Sequence, residues 1–137
     1  MSHQEFGQTS PFHRPWQVDY QLAAAAAGPV ELKAVRSTSH RLYIQHIIVS
    51  VTTYSAATMT FRDDAGTPVP IGFFSIPASA PTGGGNQEYR IDFEQGGTPL
   101  TTGTNLDLVL SAAGIAGRIH IQGYEVIETP MALGTNN

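Results

Sequence analysis

From Val30 onward, apolar residues recur at every second position in short runs, the period of a half-buried β-strand. Val30 to Ala34 alternates, Arg41 to Tyr54 is long and rich in Ile, Val, Tyr and Thr, and Thr58 to Arg62 alternates without a break. Val69 to Ile76 follows, and Glu88 to Glu94 has the clearest alternation, with Tyr89, Ile91 and Phe93 predicted to face inward. Asn105 to Leu110 and Gly117 to Ile127 complete the set. Between the runs lie turn-forming stretches: Asp63-Asp64-Ala65-Gly66, Pro77 to Gln87, and Gln95-Gly96-Gly97-Thr98-Pro99. Seven strands, or eight with Trp16 to Tyr20, and no long helical pattern predict an all-β sandwich or barrel.

Two breaks in parity refine this picture. Leu42 and Ile44 share one parity, whereas Ile47, Val49 and Val51 share the other. This requires a bulge near Gln45-His46 or a strand buried on both faces. Near the end of the chain, Ile119 and Ile121 give way to Tyr124 and Val126, and glycine at the switch, Gly123, reads as a second bulge.

The first 29 residues have a different texture. Gly7 to Trp16 mixes two prolines with polar spacers and aromatics and has no sustained period, so it reads as an extended arm. Trp16-Gln17-Val18-Asp19-Tyr20 alternates and can pair as a strand, while Ala23 to Ala27 has room for a helical turn before Gly28-Pro29 stops it. The expected organisation is an arm over 1–29, a β-sandwich over 30–128 and a C-terminal tail over 129–137.

Composition changes the functional picture more than the fold. Charged residues make up 13% of the 137 residues, against about 25% in ordinary soluble domains. Lysine occurs once, at Lys33, and arginine six times. Contact surfaces are depleted in lysine and retain arginine, so a thinly charged exterior points to a surface covered by something else. Net charge is −4, which offers no basic field for nucleic acid or anionic lipid. The absence of cysteine excludes disulfides and thiolate metal sites. The N-terminus lacks the basic and apolar regions of a signal peptide, and the longest apolar run near it, Leu22 to Ala27, is too short to span a bilayer. A protein made and used without secretion is expected, with neither membrane nor nucleic acid as direct partner.

No catalytic signature stands out. The histidines, His3, His13, His40, His46 and His120, include no His-x-His or His-Glu-x-x-His pair. His46 and His120 fall in predicted strands with Glu125 near, which leaves a metal-dependent, cupin-like enzyme as a remote reading; structural histidines fit the spacing better. Asp63-Asp64-Ala65-Gly66-Thr67 lacks the alternate ligand spacing of a calcium loop and reads as a solvated turn. Gly83-Gly84-Gly85 lacks the Lys-Ser/Thr of a phosphate loop, and Gly-x-Ser-x-Gly is absent. The expectation is a protein without enzymatic activity or cofactor. The residue types that anchor interfaces, Phe12, Arg14, Trp16, Tyr20 and Arg36, are the candidate partner-binding set. Trp16 serves equally well as a plug for one end of the sandwich.

The stretch from Leu42 through Tyr54 to Asp64, together with Thr104 to Gly114, resembles small structural proteins of tailed bacteriophages, and within them the jelly-roll decoration, or cement, proteins of icosahedral capsids. The resemblance covers residues 30 to 127. It implies a two-sheet jelly roll, dimeric or otherwise homo-oligomeric, located on the virion and made in the host cytoplasm. There it would bind the major capsid protein across joints between capsomers and clamp the shell against packaged DNA. The family has no catalytic residues to carry over. Deleting residues 1–20 is expected to leave the sandwich folded and weaken shell binding. The competing reading is a phage tail or fibre module recognising glycan.

Overall fold

The computed structural model describes residues 13–24, 27–81, 87–94 and 96–128. Among these residues the chain forms nine strands: β1 His13–Leu22, β2 Gly28–Lys33, β3 His40–Thr53, β4 Ala57–Asp63, β5 Pro70–Ile76, β6 Gln87–Asp92, β7 Thr98–Pro99, β8 Leu106–Leu110 and β9 Ala116–Ile127. The expected eight strands are all present, and the two-residue β7 is added. They build two antiparallel sheets, one ordered β1-β9-β3-β6 with β7 attached to β3, the other β2-β8-β4-β5. This is a β-sandwich.

Alternation fills the space between the sheets. Leu106, Leu108 and Leu110 of β8 and Met59 and Phe61 of β4 are fully buried, facing Ile47, Val49, Ile119 and Ile121 of the first sheet. Each such side chain stabilises the fold by about 1.5–3 kcal/mol through burial. Tyr89, Ile91 and Phe93 pack against this core, as their alternation predicts. The lateral edges also close. Phe74 of β5 and Tyr89 of β6 place their rings 5.6 Å apart, and a Cβ on Gly72 would stand 2.7 Å from Ile91 Cδ1. Across the molecule, Lys33 Nζ of β2 lies 5.7 Å from the Trp16 ring of β1, within cation–π range.

The parity break in β3 is a bulge. Ile44 pairs with Gly123 and His46 with Gln122, so Gln45 is the extra residue, and Ile44 and Ile47 can both face the core. Gly123 is not a bulge, contrary to its sequence reading. The inward series Gly117, Ile119, Ile121, Gly123, Glu125 runs through it unbroken, and Tyr124 therefore points out of the sandwich. The glycine has a different cause: a Cβ there would collide with the Tyr43 carbonyl oxygen and approach Trp16 Cζ2 to 2.6 Å.

The segment expected as an arm contributes a full strand. β1 pairs with β9 along its whole length, from His13 opposite Val126 to Leu22 opposite Gly117. Trp16, Val18 and Tyr20 pack against the core, and Leu22 belongs to it. Pro15 is tolerated because β1 is the edge of its sheet, where a missing N–H breaks no central ladder. Deleting residues 1–20 would therefore remove most of a strand, so that expectation is corrected: the sandwich begins no later than His13. Ala24 has φ 50°, a left-handed conformation that does not continue a helix. Phe12, Ala25, Ala26, Gly83-Gly84-Gly85 and the 129–137 tail lie outside the described residues.

Candidate functional site

The antiparallel registers gather the strand termini into two ends, and the ends differ in chemistry. At one end, buried carboxylates organise the loops. Asp63, 1% exposed at the end of β4, accepts hydrogen bonds from Ala65 N at 3.2 Å and Val69 N at 2.9 Å on Oδ1. Its Oδ2 accepts from Thr101 N at 3.2 Å and Thr101 Oγ1 at 2.6 Å. Burial pushes this carboxyl up, but the four donors outweigh it and hold its pKa below the ordinary value. The sequence reading of a solvated turn is corrected here: Asp63 faces inward, and only Asp64 stays on the surface.

Two neighbours extend this network. Asn105 donates to Asp64 twice, from N to Oδ1 at 2.8 Å and from Nδ2 to Oδ2 at 2.9 Å, accepts from Asp64 N on its carbonyl oxygen at 3.2 Å, and accepts from Val35 N on Oδ1 at 2.8 Å. Glu125, 3% exposed, accepts from Arg36 N at 2.8 Å. Both bonds tie the β2–β3 connection to the sandwich. Asp107 lies close by; burial, and after it the negative charges of Asp64 and Glu31, raise its pKa, with Arg62 offsetting part of the rise.

Among the described residues, the connections at the opposite end carry no charged side chain, and Arg118 of β9 is the charge that borders them. Residues 22–24, 27–28, 52–58, 75–81, 87 and 110–117, the described connections and strand ends gathered there, are Ala, Gly, Ser, Thr, Pro and other uncharged residues throughout. Hydroxyls hold it together: Ser55 Oγ donates to Ala113 O at 2.8 Å, Thr52 Oγ1 to Ala116 O at 3.2 Å, and Thr58 N donates to Ser111 Oγ at 2.8 Å. A shallow cavity of about 530 Å³ opens here, lined by Gln21, Leu22, Ala23, Ser50, Thr52, Ala116, Gly117 and Arg118. Gly117 keeps β9 close to β3 at its floor, because a Cβ would collide with the Ser50 carbonyl oxygen. Sequence reasoning missed this end. The charge-free run from Ala65 to Gln87 was its available signal.

The outer face of the first sheet carries an aromatic group. Tyr43 and Tyr124 stack with centroids 4.8 Å apart and planes within 4°, and His13 sits 5.2 Å from Tyr124. Tyr124 Oη donates to Gly96 O at 2.6 Å, and a depression of about 200 Å³ is lined by His13, Pro15, Gln45, Gly123 and Tyr124. Further along that face His46 and His120 have ring centroids 5.8 Å apart, and His120 Nδ1 lies 2.9 Å from Asp19 Oδ1.

The candidate partner-binding residues separate into two groups. Arg14 and Arg36 are exposed at the charged end, beside Glu125: Arg14 is its register partner and Arg36 donates to it. Trp16 and Tyr20 are half-buried against the core. The metal reading loses its geometry, because His46 and His120 point out of the sheet while Glu125 points into the sandwich. Among the described residues, no group of three metal-ligating side chains is assembled, and no helix is long and apolar enough to cross a membrane. No protein-family profile matches the chain, and no curated protein matches its sequence.

Proposed function

We propose that this chain is a structural protein of a phage virion, a jelly-roll cement protein that binds the outside of the capsid and clamps neighbouring capsomers. The jelly-roll part of the reading is supported by strand order. The chain crosses between sheets except at the β4–β5 hairpin and the short β7, giving β1-β9-β3-β6 facing β2-β8-β4-β5, the strand order of a double Greek key. The observation that carries the functional part is the charge-free end. Loops of Ala, Gly, Ser and Thr with no ionic group among their described residues lose little hydration when covered, which suits a contact that stays shut under load.

In this reading the charge-free end seats on the major capsid protein, and Arg14 and Arg36 at the opposite end meet a neighbouring capsomer. Many copies on one shell act together, so a modest contact per copy suffices. Co-sedimentation of the purified chain with empty heads that lack it, over a range of salt, tests the proposal. Saturable binding at a fixed ratio to capsid subunits, little changed by salt, is the expected result. Heads that sediment without the chain would reject it.

The Tyr43–Tyr124 stack and its depression favour a second reading, a tail or fibre module that stacks a sugar on an aromatic platform. That reading predicts saturable glycan binding lost in Tyr124→Ala and no binding to heads.

A further inference from the structure

Among the described residues, the large hydrophobic side chains left exposed are Val69, at 51%, and Phe73, at 62%. They lie four residues apart, one just before β5 and the other at its centre. β5 is the last strand of its sheet, and among the described residues no strand pairs with its outer edge. The other three lateral edges carry devices that discourage pairing: Arg14, Pro15 and Asp19 in β1, Pro29, Glu31 and Lys33 in β2, and Glu88, Arg90 and Asp92 in β6. The sequence of β5, Pro-Ile-Gly-Phe-Phe-Ser-Ile, has no charge, and its proline is confined to the first position. An edge left this way, with an exposed phenylalanine on it, is built to be paired.

We propose that β5 pairs antiparallel with β5 of a second copy, across a two-fold axis at Phe73, joining two β2-β8-β4-β5 sheets into one. The sequence is complementary to itself about that centre. The two Phe73 rings meet on the outer face as a cross-strand aromatic pair. On the inner face, Gly72 stands opposite Phe74 of the second copy, so no two large side chains compete for space there, and Phe74 keeps its place in its own core. Ile71 faces Ser75, and no like charges meet because there are none. A different protein would need its own uncharged strand, whereas a second copy brings this one by symmetry, and a two-fold contact is the commonest way chains pair. This inference does not depend on the capsid reading; a paired chain would present each of its ends twice.

Sedimentation equilibrium on the full chain and on Phe73→Lys tests it. The wild-type chain should be a dimer, and the exposed lysine should weaken it by at least about 30-fold, the loss expected of a hot spot, with the two urea midpoints equal at concentrations where both chains are monomeric. A second test uses the absence of cysteine. Under mild oxidation Phe73→Cys should link to its own copy as a dimer, and Thr60→Cys, one strand inward on the same face, should not. A wild-type monomer at every concentration overturns the proposal, as does a dimer that Phe73→Lys leaves intact or that Phe73→Cys fails to cross-link. If the Phe73→Cys chain is monomeric, thiol labelling then says what occupies the edge. A protected thiol assigns it to another segment of this chain, and a reactive thiol leaves it to a different protein.

Discussion

The two ends of this sandwich are held by different chemistry. At one end, Asp63 and Glu125 are buried and Asn105 is shared among three loops, so polar side chains reach 38 to 89 residues along the chain to satisfy backbone donors. At the other, exposed serine and threonine hydroxyls, bonding 53 to 64 residues along the chain, clasp the β3–β4 and β8–β9 connections at the surface, with no buried carboxylate among them. The low charge content is therefore not spread evenly. Part of the acidic complement works inside the fold at one end, and the described connections of the other have none. One end reads as a structural joint and the other as a surface for covering.

This contrast can be broken by substitution. Removing β1 by deleting residues 1–22 should abolish cooperative unfolding, whereas deleting 1–12 leaves every β1–β9 pair in place and should keep it, as judged by urea denaturation. Asp63→Ala should cost about 3–5 kcal/mol, because it strands three backbone N–H groups and the Thr101 hydroxyl in a buried site. Its counterpart at the uncharged end, Ser55→Ala, removes one exposed hydroxyl bond and should cost less than about 1 kcal/mol. Equal costs at the two ends would remove the distinction.

Acid titration sharpens the same comparison. The folded-state pKa of Asp63 is depressed, so the stability it contributes is present above its unfolded value and is lost as pH falls through the folded one. Asp107 has the opposite sign. Its folded-state pKa is raised, so its charge destabilises the native state at neutral pH and the penalty is relieved as pH falls through that raised value. Stability should rise slightly on mild acidification and then fall. Asp107→Asn should flatten the rise and Asp63→Asn the fall, measured by urea midpoints across pH.

The strands were legible in the sequence because alternation is a local signal: Tyr89, Ile91 and Phe93 mark their face without help from the rest of the chain. The bulge at Gln45 was legible for the same reason, since a parity change inside one strand demands it. Gly123 was misread because the residues that forbid a side chain there, Tyr43 and Trp16, come from two other strands. Asp63 was misread as solvated because two of its four donors come from Thr101, 38 residues away, and nothing near it announces the partner that closes over it. The arm was drawn too long because Pro15 masks an edge strand whose partner, β9, is a hundred residues downstream. Of the residues read as interface anchors, Arg14 and Arg36 are exposed and Trp16 and Tyr20 are half-buried against the core, a difference that depends on contacts with other strands and leaves no local mark.

The central claim is that the uncharged end is the covered one, and charge placed on it is the most direct test. Ala56→Glu combined with Ala113→Glu puts two carboxylates on exposed positions of that end, and Thr67→Glu puts one on an exposed position of the other. In co-sedimentation with empty heads, the double variant should lose binding while Thr67→Glu and the wild-type chain bind alike. Binding that survives the double substitution, or that is lost only with Thr67→Glu, would contradict the account.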